Sequence, residues 1–206
     1  MQITLVRHTA VAPEWQVVCY GNTDIPLAAT FEEEAPRVAA QIDLSLYDRI
    51  LSSPLSRALR LAHYCVPEGI DIEVDDRLKE MNFGDWEGQH WTSILEAEQE
   101  VSAFFEYFID RPAPRGESLR DLAQRVANLL DELYRSGAQR VLLFSHGGVI
   151  NAVRAMAGRI SLQEAFAQIL PYGSVTMIEL DDLIHMTKSS SDGGFRLLFG
   201  RNVKIK

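Results

Sequence analysis

The 206 residues are 47% apolar and 24% charged, ordinary globular proportions that exclude a disordered, collagen-like or coiled-coil chain. Lys and Arg number 20 against 29 Asp and Glu, a formal net charge of −9, which argues against non-specific binding to nucleic acid or an anionic membrane. An anionic ligand therefore has to be met by positive charge gathered locally. Two cysteines, Cys19 and Cys65, form neither a disulfide framework nor a CxxC pair. The first apolar run is too short for a signal peptide, and no stretch approaches the length of a membrane span. The expectation is one cytoplasmic domain over residues 1–206.

Ile3, Leu5 and Val6 predict a short buried strand that ends at Arg7-His8. The irregular stretch after it, through Pro13, Gly21 and Pro26, is long enough to be functional. Thr30 and Glu33 have the spacing of a capping box for a helix near 31–42, with Pro36 placed to kink or delay it. Ile50-Leu51 predicts a short strand, and Ser53-Pro54 an N-cap with proline at the first helical position. Another strand fits 71–74, a charged loop 76–90 and an aromatic-rich helix 91–109. Leu119, Leu122, Ala123, Val126, Leu129, Leu130 and Leu133 recur at three and four, capped by Ser118 and closed by Gly137. Val141 to Phe144 is a continuous apolar strand of the parallel-sheet kind, with Ser145-His146-Gly147-Gly148 as a turn and a helix from Val149. Strands near 174–180 and 195–199 close the chain. The pattern predicts an α/β fold, a mainly parallel central β-sheet flanked by helices in three layers.

Ligands of such sheets sit beyond the carboxyl ends of the strands. His8 and His146 each end a buried strand, so a parallel sheet brings both to one edge. Arg7 supplies a planar fork for anionic oxygens and disfavours protonation of His8. Gly147 and Gly148 let backbone amides approach a ligand at a helix start. Arg57, one turn into the helix after the second strand, can reach the same edge. Two arginines, two histidines and amides make a pocket for a phosphoryl group. Metal is the rival use of the histidines, but no HExxH or close His/Asp cluster is present and the neighbouring arginine repels a cation. A leaving oxygen also needs a proton donor, and the loop from Arg77 to Gly88 offers Glu80, Asp85 and Glu87 among aromatics, with no reason in composition to choose one.

Four blocks in order carry a resemblance: Leu5-Val6-Arg7-His8-Thr9, Ser52-Ser53-Pro54-Leu55-Ser56-Arg57-Ala58, the run from Leu78 to Gly88, and Ser145-His146-Gly147-Gly148. Gly116-Glu117-Ser118 is a weaker fifth. Together they resemble the histidine phosphatase superfamily, the clan of cofactor-dependent phosphoglycerate mutase. The resemblance implies a phosphoglycerate mutase-like fold, His8 as a nucleophile forming phosphohistidine, and Arg7, Arg57 and His146 holding the phosphoryl oxygens. It implies Glu80 as the acid, then the base for water. It implies no metal and no cofactor. Within the superfamily, the run from Cys19 to Leu27 and the short loop from Phe83 to Gly88 are similar to the α-ribazole phosphatase branch, which acts late in cobalamin nucleotide-loop assembly.

The chain departs from the family at Thr9, where glycine is common, at Glu14, where a phosphate-binding asparagine is common, and at Phe31, where glycine often starts the helix. Glu14 opposes an anion. Gly147 and Thr9 remain candidate phosphate contacts. Trp15, Cys19 and Tyr20 either line the leaving-group side, since aromatics stack on flat rings, or pack the long loop. Cys19 has no base partner for a nucleophilic role. The partner expected is a small-molecule phosphate ester, and the sequence leaves monomer and homodimer open. A phosphoglycerate mutase, a broad sugar-phosphate phosphatase and a non-enzymatic phospho-ligand module are the alternatives; the last is disfavoured because Arg7, His8, Arg57, Glu80 and His146 are all present.

Overall fold

The computed structural model describes residues 1–96, 109–158, 160–168, 170–180, 185–188 and 195–198. Five strands form the central sheet: β1 (Gln2–Arg7), β2 (Arg49–Ser52), β3 (Glu73–Val74), β4 (Arg140–Ser145) and β5 (Val175–Glu179), in the order β3-β2-β4-β1-β5. All neighbours run parallel except β5, which pairs antiparallel with β1. The helices are α1 (Phe31–Ala39), α2 (Ser56–Cys65), α3 (Trp91–Glu96), α4 (Leu119–Arg135), α5 (Gly147–Met156) and α6 (Leu162–Phe166). A separate antiparallel pair, β6 (His185–Lys188) and β7 (Phe195–Leu198), follows. Among the described residues no helix is long and apolar enough to cross a membrane.

Alternation along the strands divides the core in two, because successive side chains of a strand point to opposite faces. Ile3, Leu5, Leu51, Val141 and Leu143 pack with Leu122, Val126, Leu130 and Val149 of α4 and α5. Val6, Ile50, Leu142 and Phe144 pack with Phe31, Val38, Leu61 and Cys65 of α1 and α2. β1 and β4 are buried on both faces, which is why β4 is written as an apolar run and β1 as one broken only by Thr4, whose buried hydroxyl accepts from that of Tyr47. This is the expected three-layer α/β sheet.

Four local expectations are corrected. Thr30 precedes α1, but its hydroxyl bonds Glu34 and not the helix backbone, so no capping box forms there; the helix runs through Pro36 without a break. Ser53 is not an N-cap. Its hydroxyl bonds the His146 ring, and α2 starts later, at Ser56, whose N–H and hydroxyl both donate to Asp24 Oδ1 from a distant loop. Residues 146–148 are not a turn before a helix at Val149. His146 itself is the extended N-cap residue and α5 begins at Gly147. The charged loop contains two single 3-10 turns, Asp76–Leu78 and Gly84–Trp86. The capping box at Ser118, closed by Asp121, forms as expected, and Gly137 takes a φ of +85° beyond the end of α4. The expected helix over 91–109 is formed at Trp91–Glu96; residues 97–108 lie outside the described residues.

Candidate active site

Three adjacent strand ends assemble the site. β1 and β4 are paired in register, Arg7 opposite Ser145, and the His8 N–H continues the ladder to the Ser145 carbonyl at 3.1 Å. The Ser53 N–H does the same from β2 to the Phe144 carbonyl at 2.9 Å. His8 and His146 are thereby set side by side, ring centroids 5.2 Å apart and planes tilted by 57°. His8, His146 and Arg57 are 2%, 0% and 0% exposed.

The hydrogen bonds assign the tautomers. His8 Nδ1 lies 2.8 Å from the Thr9 carbonyl, which can only accept, so Nδ1 carries the proton and Nε2 keeps its lone pair. His146 Nε2 is 2.8 Å from Ser53 Oγ. With that hydroxyl donating, the proton of His146 resides on Nδ1, a buried atom with no protein partner. Burial first, then the charges of Arg57 and Arg7, holds the His8 imidazole well below its usual range. His146 is lowered in the same direction, by burial and then by Arg57 and His8. Both rings are neutral at pH 7, which is the nucleophilic form of histidine.

The two guanidinium groups are held by carbonyls, which leave their charge available. Arg57 donates from Nη2 to Gly21 O at 2.7 Å and from Nη1 to Thr23 O at 2.9 Å. Arg7 donates from Nη1 to the Leu170 carbonyl, and its guanidinium lies 4.2 Å over the Tyr172 ring. Arg7 Nε, Arg57 Nε, Thr9 Oγ1 and His146 Nδ1 are all buried without a protein partner. Unpaired buried donors are expensive unless a ligand meets them, and this group suits a tetrahedral oxyanion.

Glu80 is fixed at the mouth of α5. Its Oε2 accepts from Gly148 N at 3.0 Å and its Oε1 from Met81 N at 2.9 Å. Arg125 of α4 binds the Glu80 segment from behind: it donates to the carbonyls of Arg77, Lys79 and Glu80 at 2.7–2.9 Å and is itself paired with Glu117. Gly148, rather than Gly147, is the glycine that sterics demand. A Cβ on Gly148 would lie 2.1 Å from Glu80 Oε1, whereas one on Gly147 would meet nothing closer than Arg7 Nε at 3.5 Å.

The structure brings Arg7, His8, Thr9, Arg57, Glu80, His146 and Gly147 to one sheet edge. Tyr20 is there too, its ring 5.4 Å from the Arg57 guanidinium carbon. Cys19 faces the other way. It is fully buried in the core cluster with Leu78, Met81 and Trp86, and burial, reinforced by Glu87, pushes its thiol up to about 12. Glu14 is exposed on the short 3-10 turn Pro13–Trp15. Of the three loop carboxylates, Asp85 pairs with Arg115 at the surface, and Glu87 is spent on structure. Glu87 accepts the N–H groups of Asn22, Thr23 and Phe83 at 2.6–2.9 Å and the Thr23 hydroxyl, so it clamps the loop whose carbonyls hold Arg57. Among the described residues no group of three or more His, Cys, Asp or Glu is placed to hold a metal ion.

Sequence reasoning missed Tyr172. Its hydroxyl is 2.8 Å from that of Tyr20 and its ring 5.5 Å from that of His8. No motif marks it; only the antiparallel return of β5 beside β1 carries it to the site.

Residues 3–184 match the family profile of the histidine phosphatase superfamily, branch 1. The chain belongs to this family. Its similar relatives include a Hydrogenobacter thermophilus protein provisionally named phosphoserine phosphatase 2, 29% identical over 87% of this chain and 90% of that one. GpmB of Escherichia coli, provisionally named a phosphoglycerate mutase, is 35% identical over 71% of this chain and 70% of its own. Among solved structures, the mycobacterial glucosyl-3-phosphoglycerate phosphatase Rv2419c superposes with a TM-score of 0.76 at 25% identity, covering 86% of this chain and 89% of that one. The α-ribazole phosphatase of Shigella flexneri superposes with a TM-score of 0.78 at 22% identity over the whole of both chains, a likeness of fold. The protein is thus an enzyme of the histidine phosphatase family with the phosphoglycerate mutase-like fold.

Proposed function

We propose that the protein is a metal-independent phosphomonoesterase that works through a phosphohistidine on His8 and removes the 5′-phosphate of α-ribazole 5′-phosphate or of cobalamin 5′-phosphate. The observation that carries the chemistry is the neutral His8 ring, with Nδ1–H tied to the Thr9 carbonyl and the Nε2 lone pair free beside four unpaired buried donors. In the first step Nε2 attacks phosphorus, the ester P–O bond breaks, and protonated Glu80 gives its proton to the leaving oxygen. In the second, Glu80 takes a proton from water, the oxygen of that water attacks phosphorus, and the P–N bond breaks to release phosphate and neutral His8. Arg7, Arg57 and His146 Nδ1–H hold the three non-bridging oxygens as charge builds on them, with Thr9 Oγ1 and Gly147 N–H beside them.

The substrate assignment draws on the sequence from Cys19 to Leu27, on the short loop after Glu80, on the aromatic rings of Tyr20 and Tyr172 on the leaving-group side, and on the end-to-end fold match with the α-ribazole phosphatase. The two buried free cysteines suit a reducing compartment, and we place the enzyme in the cytoplasm as one domain. The assay is phosphate release, with EDTA present, from α-ribazole 5′-phosphate beside 3-phosphoglycerate, fructose bisphosphate and p-nitrophenyl phosphate. A strong preference for α-ribazole 5′-phosphate is expected. Weak cleavage of all four would leave the phosphohistidine chemistry and remove the cobalamin assignment.

The likeness to GpmB favours one second reading, a phosphoglycerate mutase or broad sugar-phosphate phosphatase. Transfer of phosphate between 2- and 3-phosphoglycerate with little hydrolysis would support the mutase. Rapid release without transfer excludes it.

A further inference from the structure

The two tyrosines at the site are 152 residues apart in sequence, and each is seated on one of the two arginines. Tyr172 lies under Arg7, at 4.2 Å, and beside His8; the Tyr20 ring lies 5.4 Å from the Arg57 guanidinium carbon. Their hydroxyls meet at 2.8 Å, so the bond between them bridges from one arginine to the other. Behind this bridge His8, His146 and Arg57 have almost no contact with solvent.

Both backbones are pinned. The Tyr172 turn is fastened to His8, since Gly173 N donates to the His8 carbonyl at 3.0 Å. On the other side Cys19 is bonded through N to Gln89 O and through O to Gly88 N, each at 2.8 Å. Gly21 is boxed in as well: a Cβ there would stand 1.8 Å from Met81 O. With both backbones pinned, the two phenols part by side-chain rotation, without a movement of the chain. Burial and the Tyr172 hydroxyl push the Tyr20 phenol up, so Tyr20 stays protonated, and each hydroxyl gives up its bond to the other once the two are separated.

We infer that Tyr20 and Tyr172 determine leaving-group specificity: a leaving alcohol with hydroxyls beside its ester oxygen takes over the hydrogen bonds the two phenols give up, and an aryl ester leaves them unpaired. This rests on the reading that the ester phosphate sits at His8. The substrate class it selects is the phosphate ester of a polyhydroxylated alcohol such as a sugar or nucleoside. Sites built to hydrogen-bond a substrate hydroxyl discriminate against analogues that lack it, because their own polar groups are then stranded.

The test compares ribose 5-phosphate with p-nitrophenyl phosphate as substrates of the full chain and of its Tyr20→Phe and Tyr172→Phe variants. The ratio of the two kcat/KM values, sugar ester over aryl ester, is expected to fall roughly 2- to 10-fold in each variant, one neutral hydrogen bond's worth. Loss of folded protein lowers both substrates together and does not move the ratio. A ratio that stays put in both variants overturns the inference and leaves the phosphatase reading standing. If the wild-type chain hydrolyses neither ester but releases phosphate from α-ribazole 5′-phosphate, the inference falls and the phosphatase reading stands; if it releases phosphate from none of the three, both fall.

Discussion

Gly148 donates its N–H to Glu80 Oε2 at 3.0 Å, and a Cβ added to Gly148 would fall 2.1 Å from Oε1 of the same carboxylate. The glycine is both the clamp on the acid and the space it occupies. Gly148→Ala is expected to displace the Glu80 carboxylate and lower kcat about 10- to 100-fold, since a misplacement near 1 Å costs that much. Gly147→Ala keeps its N–H and meets only ordinary contacts, so its activity should stay within about 3-fold of the parent, less than one hydrogen bond's worth. Steady-state kinetics of the pair check the asymmetry, and a Gly148→Ala loss as small as that of Gly147→Ala would show that Glu80 tolerates the methyl.

Removal of the nucleophile should be near-complete. His8→Ala is expected to lower kcat on the order of 10^4- to 10^6-fold, the range seen when a covalent catalyst is removed. Rapid acid-free quenching of the wild type with substrate should trap a phosphoryl adduct on residue 8, located by mass spectrometry of the digested protein. An active His8→Ala enzyme would contradict the covalent route.

Glu87 acts on Arg57 through the loop between them. Glu87→Ala frees the N–H groups of Asn22, Thr23 and Phe83 and loosens the Gly21 and Thr23 carbonyls that aim Arg57. The expected outcome is an inhibition constant for orthovanadate raised about 10- to 100-fold, with about 1–3 kcal/mol of stability lost from the unsatisfied donors. Glu87→Gln, which can still accept some of these bonds, should fall between. Unchanged vanadate binding in the alanine variant would mean that Arg57 is fixed by its own packing.

Both site histidines are buried and neutral, and this sets a pH dependence of stability. Their folded-state pKa values are lowered, so as pH falls below the unfolded value near 6.5 the unfolded chain takes up protons that the native one refuses. Stability is therefore lost downward from about pH 6.5, at up to about 1.4 kcal/mol per pH unit for each histidine, until the folded-state values are reached. Urea midpoints between pH 7.5 and 5 measure this slope. The His8→Asn/His146→Asn double variant should be flatter over that window, and an equal slope would assign the effect to other groups.

The strand ends were legible in the sequence because β1 and β4 are buried on both faces and so are written as mainly apolar segments, broken in β1 only by Thr4, that stop at a polar residue. His8, His146 and the parallel sheet follow from that alone. Arg57 was legible as a helix residue near a strand end, but not its carbonyl grip, which depends on a loop more than thirty residues away. Ser53 illustrates the limit. Ser-Pro is a good helix start by local chemistry, yet the Ser53 hydroxyl, which accepts from Leu55 N at 3.3 Å, is also shared with the buried His146 ring at 2.8 Å, and α2 begins only at Ser56. Glu87 had the right composition for a proton donor, and only the fold reveals that its lone pairs are taken. Tyr172 left no local trace, since its place depends on a strand that reverses direction beside β1.

β1 is made before every other strand of the sheet, yet its neighbours there are β4, from residue 140, and β5, from residue 175. At ribosomal speeds of about 5–20 residues per second, some 7–28 seconds of synthesis pass before either flank exists. During that interval Ile3, Leu5 and Val6 are sticky surface on a nascent chain, and Arg7 and His8 trail from it with no pocket to enter. The catalytic centre is therefore a late product of assembly: no truncated translation product that stops short of α5 can carry out the reaction, however much of the helical shell it has already folded.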